Sequence, residues 1–387
     1  MSNLVHKWHN KITEISYEEW QGLVGSQNIP FFKLAWLKSL ESSESICINT
    51  GWLPIHLSLW RDSKLIAFAP LYLKSHSYGE FIFDQGFARL AQDLGLRYYP
   101  KIIGMSPFSP VEGYRFYISS EENNEELNIE MMKLIDLFAK ENKILSSNFL
   151  YVDKQWQEHG ENANYCSWVN KQSLWERNNI KNFDDYLSTF RSNQKRNIKR
   201  ERKSIIDAGI KISVLNGEDI SIDMIRKMYF FYEGHCAKWG VWGSKYLSED
   251  FFNQIISSQI KDNIVLFIAH KENLKNPIAM SFCLTDWEML WGRYWGSDAN
   301  IDNLHFEICY YAPIAWAIKK GLKSFDPGAG GSHKIRRGFL SQPRISLHKW
   351  YDTRMEALLK EWLKKTNQIM YKEINASNNE APLKQEK

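Results

Sequence analysis

The sequence lacks the features that mark disulfide scaffolds, zinc sites and membrane spans. Its five cysteines, at positions 47, 166, 236, 283 and 309, are odd in number and include no CxxC pair. This pattern is typical of a reducing compartment and argues against both a disulfide framework and a zinc site. No apolar run approaches the roughly 18–20 residues that span a bilayer, and the first residues lack the apolar core of a secretory signal. We therefore expect a cytoplasmic protein with no metal and no membrane span.

A large excess of charge of either sign is also absent. The 387 residues include 49 basic and 45 acidic side chains, which gives a net charge of +4. Binding to nucleic acid would therefore have to come from local clusters of cations. Apolar residues, by contrast, are plentiful, since 44% of the chain is hydrophobic and 16 residues are tryptophan. A chain of this length and composition can form two hydrophobic cores.

The order of predicted elements indicates a mixed α/β protein with two similar halves. Residues 54–75 read as a hairpin with its turn at residues 61–64, and residues 78–84 read as a strand that leads into an amphipathic helix. The second half repeats a hairpin, a further strand and a helix. We therefore expect one domain over residues 1–180, a second over residues 181–373 and a disordered polar tail over residues 374–387.

The stretch FDPGAGGSHKIRRGF (325–339) combines a run of glycines with His333, Lys334, Arg336 and Arg337. It is not a Walker A loop, because no glycine is followed by lysine. It is not a dinucleotide-binding fingerprint, because the third glycine would fall on His333. Glycines let backbone N–H groups approach a ligand, and clustered cations favour an anion. The segment is therefore either an anion-binding loop or a glycine turn beside a solvated basic strand.

Residues 183–209 form the clearest predicted helix, and its centre, RSNQKRNIKRERK, is rich in cations. At 3.6 residues per turn, seven of them project within about half the circumference: Arg191, Lys195, Arg196, Lys199, Arg200, Arg202 and Lys203. Leu187, Ile198 and Ile205 form a narrow apolar edge, and Glu201 is expected to point to the other side. The cations form either a solvated basic face or a phosphate site for a nucleotide-linked substrate or an RNA backbone.

Several segments between about residue 55 and residue 365 form a recognisable set. They are YGEFIFD (78–84), YYPKIIGMSPFSPVEG (98–113), FDDYLSTFRSNQKRNIKRER (183–202), WGRYWGS (291–297), HFEICYY (305–311) and the glycine-rich segment with GFLSQPRISLHKW (338–350). In these segments the chain resembles the FemAB-like proteins labelled peptidoglycan biosynthesis/recognition, of the acyl-CoA N-acyltransferase (GNAT-like) superfamily. The resemblance implies two tandem GNAT-like domains, as in Fem-type peptidyltransferases, and transfer of an acyl or aminoacyl group to an amine. It also implies that the basic segment contacts phosphates of a nucleotide-linked substrate.

Two departures from the pattern of these relatives bear on the chemistry. The family pattern has Gln and Glu where this chain has Gly330 and Ser332, so a carboxylate base at position 332 is missing. Acetyl-CoA enzymes of the superfamily cradle the pyrophosphate with a Q/R-x-x-G-x-G/A loop, and the corresponding junction here, SDANIDNLHFE, contains no glycine. By resemblance, this disfavours ordinary acetyl-CoA binding. It favours an aminoacyl-tRNA donor, or a pantetheine donor held differently.

Acyl transfer to an amine needs a group that removes a proton and donors for the oxyanion. In GNAT-like sheets the strand that corresponds to WGRYWGS and the helix after it line the acyl site. By that resemblance the side chains expected to converge are His305, Glu307, His333, Arg293 and Tyr294, with Lys334 and Arg337 facing the same site. Two alternatives stay open: His305 and Glu307 stabilise a helix N-terminus behind Asn303, or Glu307 forms a structural ion pair with Arg293.

Three functions are consistent with these patterns. The first is a GNAT/FemAB-like N-acyltransferase acting on a small-molecule or nucleotide-linked amine, with acyl-CoA or aminoacyl-tRNA as donor substrate and no tightly bound cofactor. The second is a Fem-type tRNA-dependent aminoacyltransferase acting on a cell-wall precursor. The third is a non-catalytic protein on the same fold that binds an anionic ligand or RNA. The sequence leaves the donor, the acceptor amine and the oligomeric state open.

Overall fold

The computed structural model describes residues 4–24, 29–238, 240, 244–271 and 276–384. Strands β1 to β15 are, in chain order, Leu4–His9, Trp52–Pro54, His56–Arg61, Lys64–Ala69, Tyr72–Lys74, Lys101–Gly104, Tyr117–Ile118, Ser146–Phe149, Cys166–Glu176, Ile210–Asn216, Ile264–Lys271, Pro277–Thr285, Met289–Ser297, Ser324–Asp326 and Leu340–Trp350. Helices α1 to α12 are Tyr17–Val24, Leu34–Ser42, Gln85–Asp93, Asn124–Glu141, Gln157–Asn162, Phe183–Ser188, Ser192–Asp207, Ile222–Ala237, Glu249–Ile256, Leu304–Phe306, Ala312–Lys320 and Thr353–Asn379. A π-helical turn, Glu307–Tyr311, joins α10 to α11, and a 3₁₀ helix spans Ser332–Arg337.

The chain divides into two compact units. The first contains Met1–Asn170 and Pro343–Tyr371, and the second contains Lys171–Gln342 and Lys372–Lys387. This division differs from the predicted domains 1–180 and 181–373, because residues 343–371 belong to the first unit. The physical reason is strand pairing: β15 pairs antiparallel with β8 of the first unit, with Leu347 opposite Phe149.

The first unit contains two sheets. One has the antiparallel order β1-β3-β4-β7, and the predicted hairpin turn is confirmed, with left-handed Asp62 and Ser63 between β3 and β4. The other has the order β2-β5-β6-β8-β15. Its neighbours pair antiparallel except β6 and β8, which are parallel. Parallel strands need a crossover connection, and α4 lies in the connection between β6 and β8.

The second unit repeats this pattern around its own core. Its strands have the order β10-β11-β12-β13-β14-β9, and the parallel pair is β13 and β14. The connection between these two strands contains α10, the π-helical turn and α11. Ile198 and Ile205 of α7 are buried in the same hydrophobic cluster as Leu304 and Ile308. The mixed sheets of both units confirm the predicted α/β class.

Two predicted elements differ from the structure. The predicted helix 183–209 is two helices, α6 and α7, with an interruption at residues 189–191, where Phe190 forms a bridge with Leu383. The predicted strand at residues 78–84 is irregular, because Gly79 and Phe81 both have positive φ angles, of 83° and 58°. Left-handed residues cannot continue an extended strand.

The C-terminal segment is also more ordered than predicted. Residues 374–379 continue α12, and Arg191 N donates to Pro382 O at 2.9 Å while Lys384 N donates to Thr189 O at 2.8 Å. The predicted disordered tail is therefore fixed to the start of α7 up to residue 384. The last three residues of that prediction, 385–387, lie outside the described residues.

Within the described ranges, no helix combines the length and the hydropathy that crossing a bilayer requires. In the same part of the chain, no group of three or more His, Cys, Asp or Glu side chains is placed to bind a metal ion.

Candidate active site

The glycine-rich segment of the second unit is a tight turn fastened by a buried lysine. Gly328, Gly330 and Gly331 have φ angles of 84°, 67° and 86°, which glycine adopts without steric cost. Lys334 Nζ donates to Gly328 O at 2.7 Å and to Ala329 O at 3.0 Å. Its side chain is buried, and burial lowers the pKa of its ammonium to about 8. Lys334 therefore stabilises the turn, and the expectation that it binds a substrate phosphate is not supported.

Arg337 is also used within the protein. Its guanidinium donates to Glu201 Oε2 at 2.8 Å and to His333 O at 3.0 Å, and it lies 3.4 Å from the centre of the Phe306 ring. The side chain is buried, so it does not present a free charge to a phosphate. Glu201, which the helical wheel placed on the opposite side of the helix, points inward to this arginine. Arg336 is the exposed cation of the segment.

The π-helical turn Glu307–Tyr311 directs three polar side chains to α7 and to the 3₁₀ helix. Arg202 of α7 donates to both oxygens of Glu307, at 3.0 to 3.3 Å. Tyr311 Oη donates to Glu201 Oε2 at 2.5 Å. Tyr310 Oη and His333 Nε2 are 2.8 Å apart. Because π-turns are rare and frequent at functional sites, this turn is an independent indication of function.

The Glu307 carboxylate therefore forms an ion pair, but its partner is not Arg293, as was expected. It binds Arg202, while Arg293 of β13 donates to the two oxygens of Asp326 on β14, at 3.2 and 3.4 Å. Burial raises the pKa of Glu307, and the bonds from Arg202 oppose that shift. A carboxylate held at both oxygens by an arginine is a poor general base, so the prediction that Glu307 removes a proton is not supported.

His333 and His305 lie close together, with ring centres 5.6 Å apart, but in different surroundings. Burial, with Arg337 and Lys334 nearby, lowers the pKa of the half-buried His333. The ring of His305 lies 4.4 Å from that of Trp295, and its pKa falls to about 3, chiefly through burial. His333 is thus a neutral imidazole at neutral pH with one nitrogen bonded to Tyr310, whereas His305 is a very weak base. Asn303 precedes His305 without capping the helix, and its side chain donates to Ser204.

Arg293 and Tyr294 differ in surroundings although they are adjacent on β13. The β12–β13 pairing shifts register at Phe282 and Cys283, so Arg293 is an extra residue in its strand. The ring of Tyr294 packs against Tyr232 and Phe252, and burial raises the pKa of its hydroxyl. Tyr294 therefore belongs to this aromatic cluster and does not contact His333.

The exposed face of α7 holds the cations that remain available. Arg202 is paired, but no acidic side chain among the described residues lies within ion-pair distance of the others, namely Arg191, Lys195, Arg196, Lys199, Arg200 and Lys203. We call these six residues the α7 cations. Their recorded partners are neutral: Arg191 donates to a backbone carbonyl, and Arg196 and Arg200 donate to asparagines of the same helix. On the inner side of α7, Gln194 Nε2 donates to Arg336 O at 2.7 Å.

The site contains residues that sequence reasoning did not select. Tyr310, Glu201 and Asp326 each bind a predicted site residue, His333, Arg337 and Arg293 respectively. Tyr310 lies within the quoted segment HFEICYY, but only the π-helical turn explains why it reaches His333. A cavity of about 530 Å³ lies elsewhere, in the first unit beside Tyr117 and Trp156, and contains none of the predicted site residues.

Comparisons with known proteins agree with this architecture. A profile of the FemAB-like family, described as peptidoglycan biosynthesis/recognition, matches residues 11–385. The solved structure of FemX superposes with a TM-score of 0.52 at 10% identity, covering 92% of this chain and 100% of that chain. The C-terminal domain of a putative lysylphosphatidylglycerol synthetase from Agrobacterium fabrum gives a TM-score of 0.50 at 10% identity, covering 88% and 94%. A comparison with curated proteins found no match. At these identities the structures show a shared fold.

Proposed function

The chain belongs to the FemAB-like family of peptidoglycan biosynthesis/recognition, and from that premise we propose that it transfers an acyl or aminoacyl group to an amine. We propose that the chemistry takes place in the second unit, at His333 and Tyr310. A half-buried, neutral imidazole is a suitable group to take, at neutral pH, the proton that the amine nitrogen loses as it attacks the carbonyl carbon. Ser332 is exposed and offers no carboxylate, so His333 is the base that the segment retains.

The position of α7 is the observation on which this proposal depends. Its inner side bonds to the His333 segment through Gln194 and Glu201, while its outer side presents the α7 cations. An anionic substrate on the outer side would therefore be held by the same helix that supports the proposed reaction centre. Arginine and lysine side chains with no acidic partner are the groups that phosphates bind.

The length of the cation row favours an RNA donor over acyl-CoA. From Arg191 to Lys203 the helix rises about 18 Å, at 1.5 Å per residue, and the six cations are distributed along all of it. A pyrophosphate would occupy only a small part of this row, whereas successive phosphates of a nucleic acid strand would occupy it throughout. We therefore propose aminoacyl-tRNA as the donor. The acceptor would be the amine of a cell-wall precursor, as the family description suggests.

The salt dependence of tRNA binding tests this proposal. Replacing Lys195, Lys199 and Lys203 by Ala should reduce the slope of log K against log salt by about 2, since each single-strand phosphate contact contributes about 0.7. The matched control replaces three exposed lysines of the first unit, Lys133, Lys140 and Lys143. Uncharged tRNA and acyl-CoA would be titrated by fluorescence anisotropy or calorimetry at several salt concentrations. An unchanged slope in the α7 variant would indicate that the α7 cations form only a solvated basic face.

A non-catalytic RNA-binding protein is the second candidate, and the missing carboxylate at position 332 favours it. The two candidates differ in turnover. Incubation of labelled aminoacyl-tRNA with the protein and a primary amine should transfer the label to the amine if the chain is an enzyme. Tight, salt-dependent tRNA binding without any transfer would favour the non-catalytic function.

A further inference from the structure

A row of buried polar side chains lies on one face of the five-stranded sheet of the first unit. Lys74 of β5 and Lys101 of β6 are direct cross-strand partners, and Asn148 of β8 is the partner of His348 on β15. Cross-strand partners and residues two apart on a strand share a face, and all four side chains are almost completely buried. Lys101 lies on the parallel pair of this unit, as Arg293 does on that of the second unit.

Two carboxylates from the segment before α3 cover this row. Lys101 Nζ donates to Glu80 Oε2 at 2.7 Å, to Ser77 Oγ at 2.9 Å and to Asp84 Oδ2. The three N–H donors of Lys101 are therefore all used, and both carboxylates converge on one ammonium. Tyr98 Oη also donates to Asp84 Oδ2, at 2.7 Å.

Three acceptor atoms of this cluster have no donor. Glu80 Oε1, Asp84 Oδ1 and His348 Nε2 are buried and have no hydrogen-bond partner among the described residues. His348 Nδ1 is 2.8 Å from Asn148 Oδ1, whose amide nitrogen donates to Ile102 O. Nδ1 therefore carries the proton, and Nε2 presents a lone pair. Buried acceptors without partners are rare in folded proteins because each costs the desolvation of a polar atom.

The charge of the cluster depends on two groups with shifted pKa values, Lys74 and Glu80. Two carboxylates face one fully bonded ammonium, and the second amine, Lys74, lies 4.2 Å from the centre of the Trp52 ring. Burial lowers the pKa of Lys74 to about 7 and that of His348 to about 3, and it raises the pKa of Glu80 to about 7. At physiological pH His348 is therefore neutral, while Lys74 and Glu80 each carry only part of a charge. A cation bound at the free carboxylate oxygens would favour the ionised form of Glu80.

We propose that Glu80, Asp84 and His348 form a binding site for a primary ammonium group of a ligand. A primary ammonium has three N–H donors and a single charge, which matches three unfilled acceptors beside two carboxylates. A water molecule has two hydrogens and would leave one acceptor unfilled. The site does not depend on the acyl transfer proposed for the second unit.

Two half-buried side chains lie at the end of the cluster nearest the surface. Ser77 Oγ, which accepts from Lys101, is 2.8 Å from Tyr99 Oη, and both side chains are half-buried. The next residue outward, Tyr78, is 63% exposed.

Calorimetric titration of the full chain with propylammonium chloride tests the site, with thermal unfolding as a second measurement. We expect saturable binding of one equivalent and a rise in Tm, because a ligand that binds the folded state stabilises it. Tetramethylammonium carries the same charge but no N–H donor, so it should not bind. Asp84→Asn and Glu80→Gln should each weaken propylammonium binding at least tenfold. Glu41→Gln, which removes another largely buried carboxylate of this unit that is paired with His56, should leave binding unchanged.

Each outcome decides the proposal. No saturable binding by the wild-type protein would mean that ordered water fills the cluster, and the proposal would be wrong. Equal binding of tetramethylammonium, or unchanged binding in both cluster variants, would also overturn it. Should Glu80→Gln not fold, Asp84→Asn and the comparison of the two ammonium ions still decide the result. A loss of tRNA binding or of transfer in the α7 variants would not affect this test.

Discussion

At the scale of single residues, the proposed base is His333, whose Nε2 lies 2.8 Å from Tyr310 Oη. Replacing His333 by Ala should lower turnover by about 100-fold or more, since general-base catalysis contributes 10² to 10⁴. The pKa of His333 is lowered below its ordinary value, so the wild-type rate should be constant around neutral pH and fall only below about pH 6.5. The measurement is the pH profile of kcat/KM for aminoacyl transfer.

The control for this prediction is another histidine of the same unit. His270→Gln removes a half-buried imidazole whose pKa is also lowered by burial, but which contacts Ser213 of β10 and no member of the site. Its activity and pH profile should match the wild type. Normal turnover in His333→Ala, or an acid limb in its pH profile identical to that of the wild type, would show that His333 is not the base.

The residue types of the site were accessible from sequence, but the directions of their side chains were not. Lys334 and Arg337 were assigned to phosphate binding, yet both are buried in the structure. They lie three residues apart on a 3₁₀ helix, where residues i and i+3 eclipse, so both face inward while Arg336 faces solvent. A sequence that reads as a glycine-rich loop gives no such period, and the burial therefore could not be predicted.

At the scale of elements, one side of α7 stabilises the fold and the other side faces solvent. Mutations on the two sides can test these roles separately. Arg202→Ala should lower the free energy of unfolding by roughly 2–4 kcal/mol, because it leaves the buried Glu307 carboxylate without its partner. Arg196→Ala, on the exposed side, should change it by less than about 0.5 kcal/mol. Urea denaturation at two pH values is the measurement.

The pH dependence of this loss identifies its cause. Burial raises the pKa of Glu307 in the folded protein, and Arg202 opposes that shift, so removing Arg202 should raise the pKa further. A carboxyl group with a raised folded pKa destabilises the protein as pH rises through that value. The deficit of Arg202→Ala should therefore be larger at pH 8 than at pH 4. Equal deficits at both pH values would indicate lost packing of the arginine instead.

Elements were predictable where their side chains follow one period. The hairpin with its turn at residues 61–64 was found because turn residues there separate two strand-like patterns. YGEFIFD also alternates, but its charged residues Glu80 and Asp84 are buried while Phe83 is 79% exposed. The burial of these two carboxyl groups could not be predicted from the sequence pattern. The π-helical turn adds a residue to the helical repeat and has no sequence signature of its own.

At the scale of the whole molecule, the fold class was predictable and the division of the chain was not. Two successive sets of hairpin, strand and helix indicate two α/β units, which the structure contains. The sequence gives no indication that a segment near its end, residues 343–371, belongs to the first unit. Strand partners that are far apart in sequence are decided by packing, since local pattern does not specify which edge a strand joins.

This division predicts that residues 1–170 do not fold alone. They lack β15, whose Leu347 and Trp350 are buried and whose Lys349 donates to Asp136 Oδ2 at 2.7 Å. Without that strand, an edge of β8 and the apolar surface beneath it are exposed. Residues 1–170 joined through a flexible linker to residues 343–371 should unfold cooperatively and show near-UV circular dichroism. Residues 1–170 alone, or joined to a shuffled 343–371 segment, should show neither. A cooperative transition of the same midpoint in residues 1–170 alone would contradict the division, because the missing strand would then contribute nothing to the stability of that core.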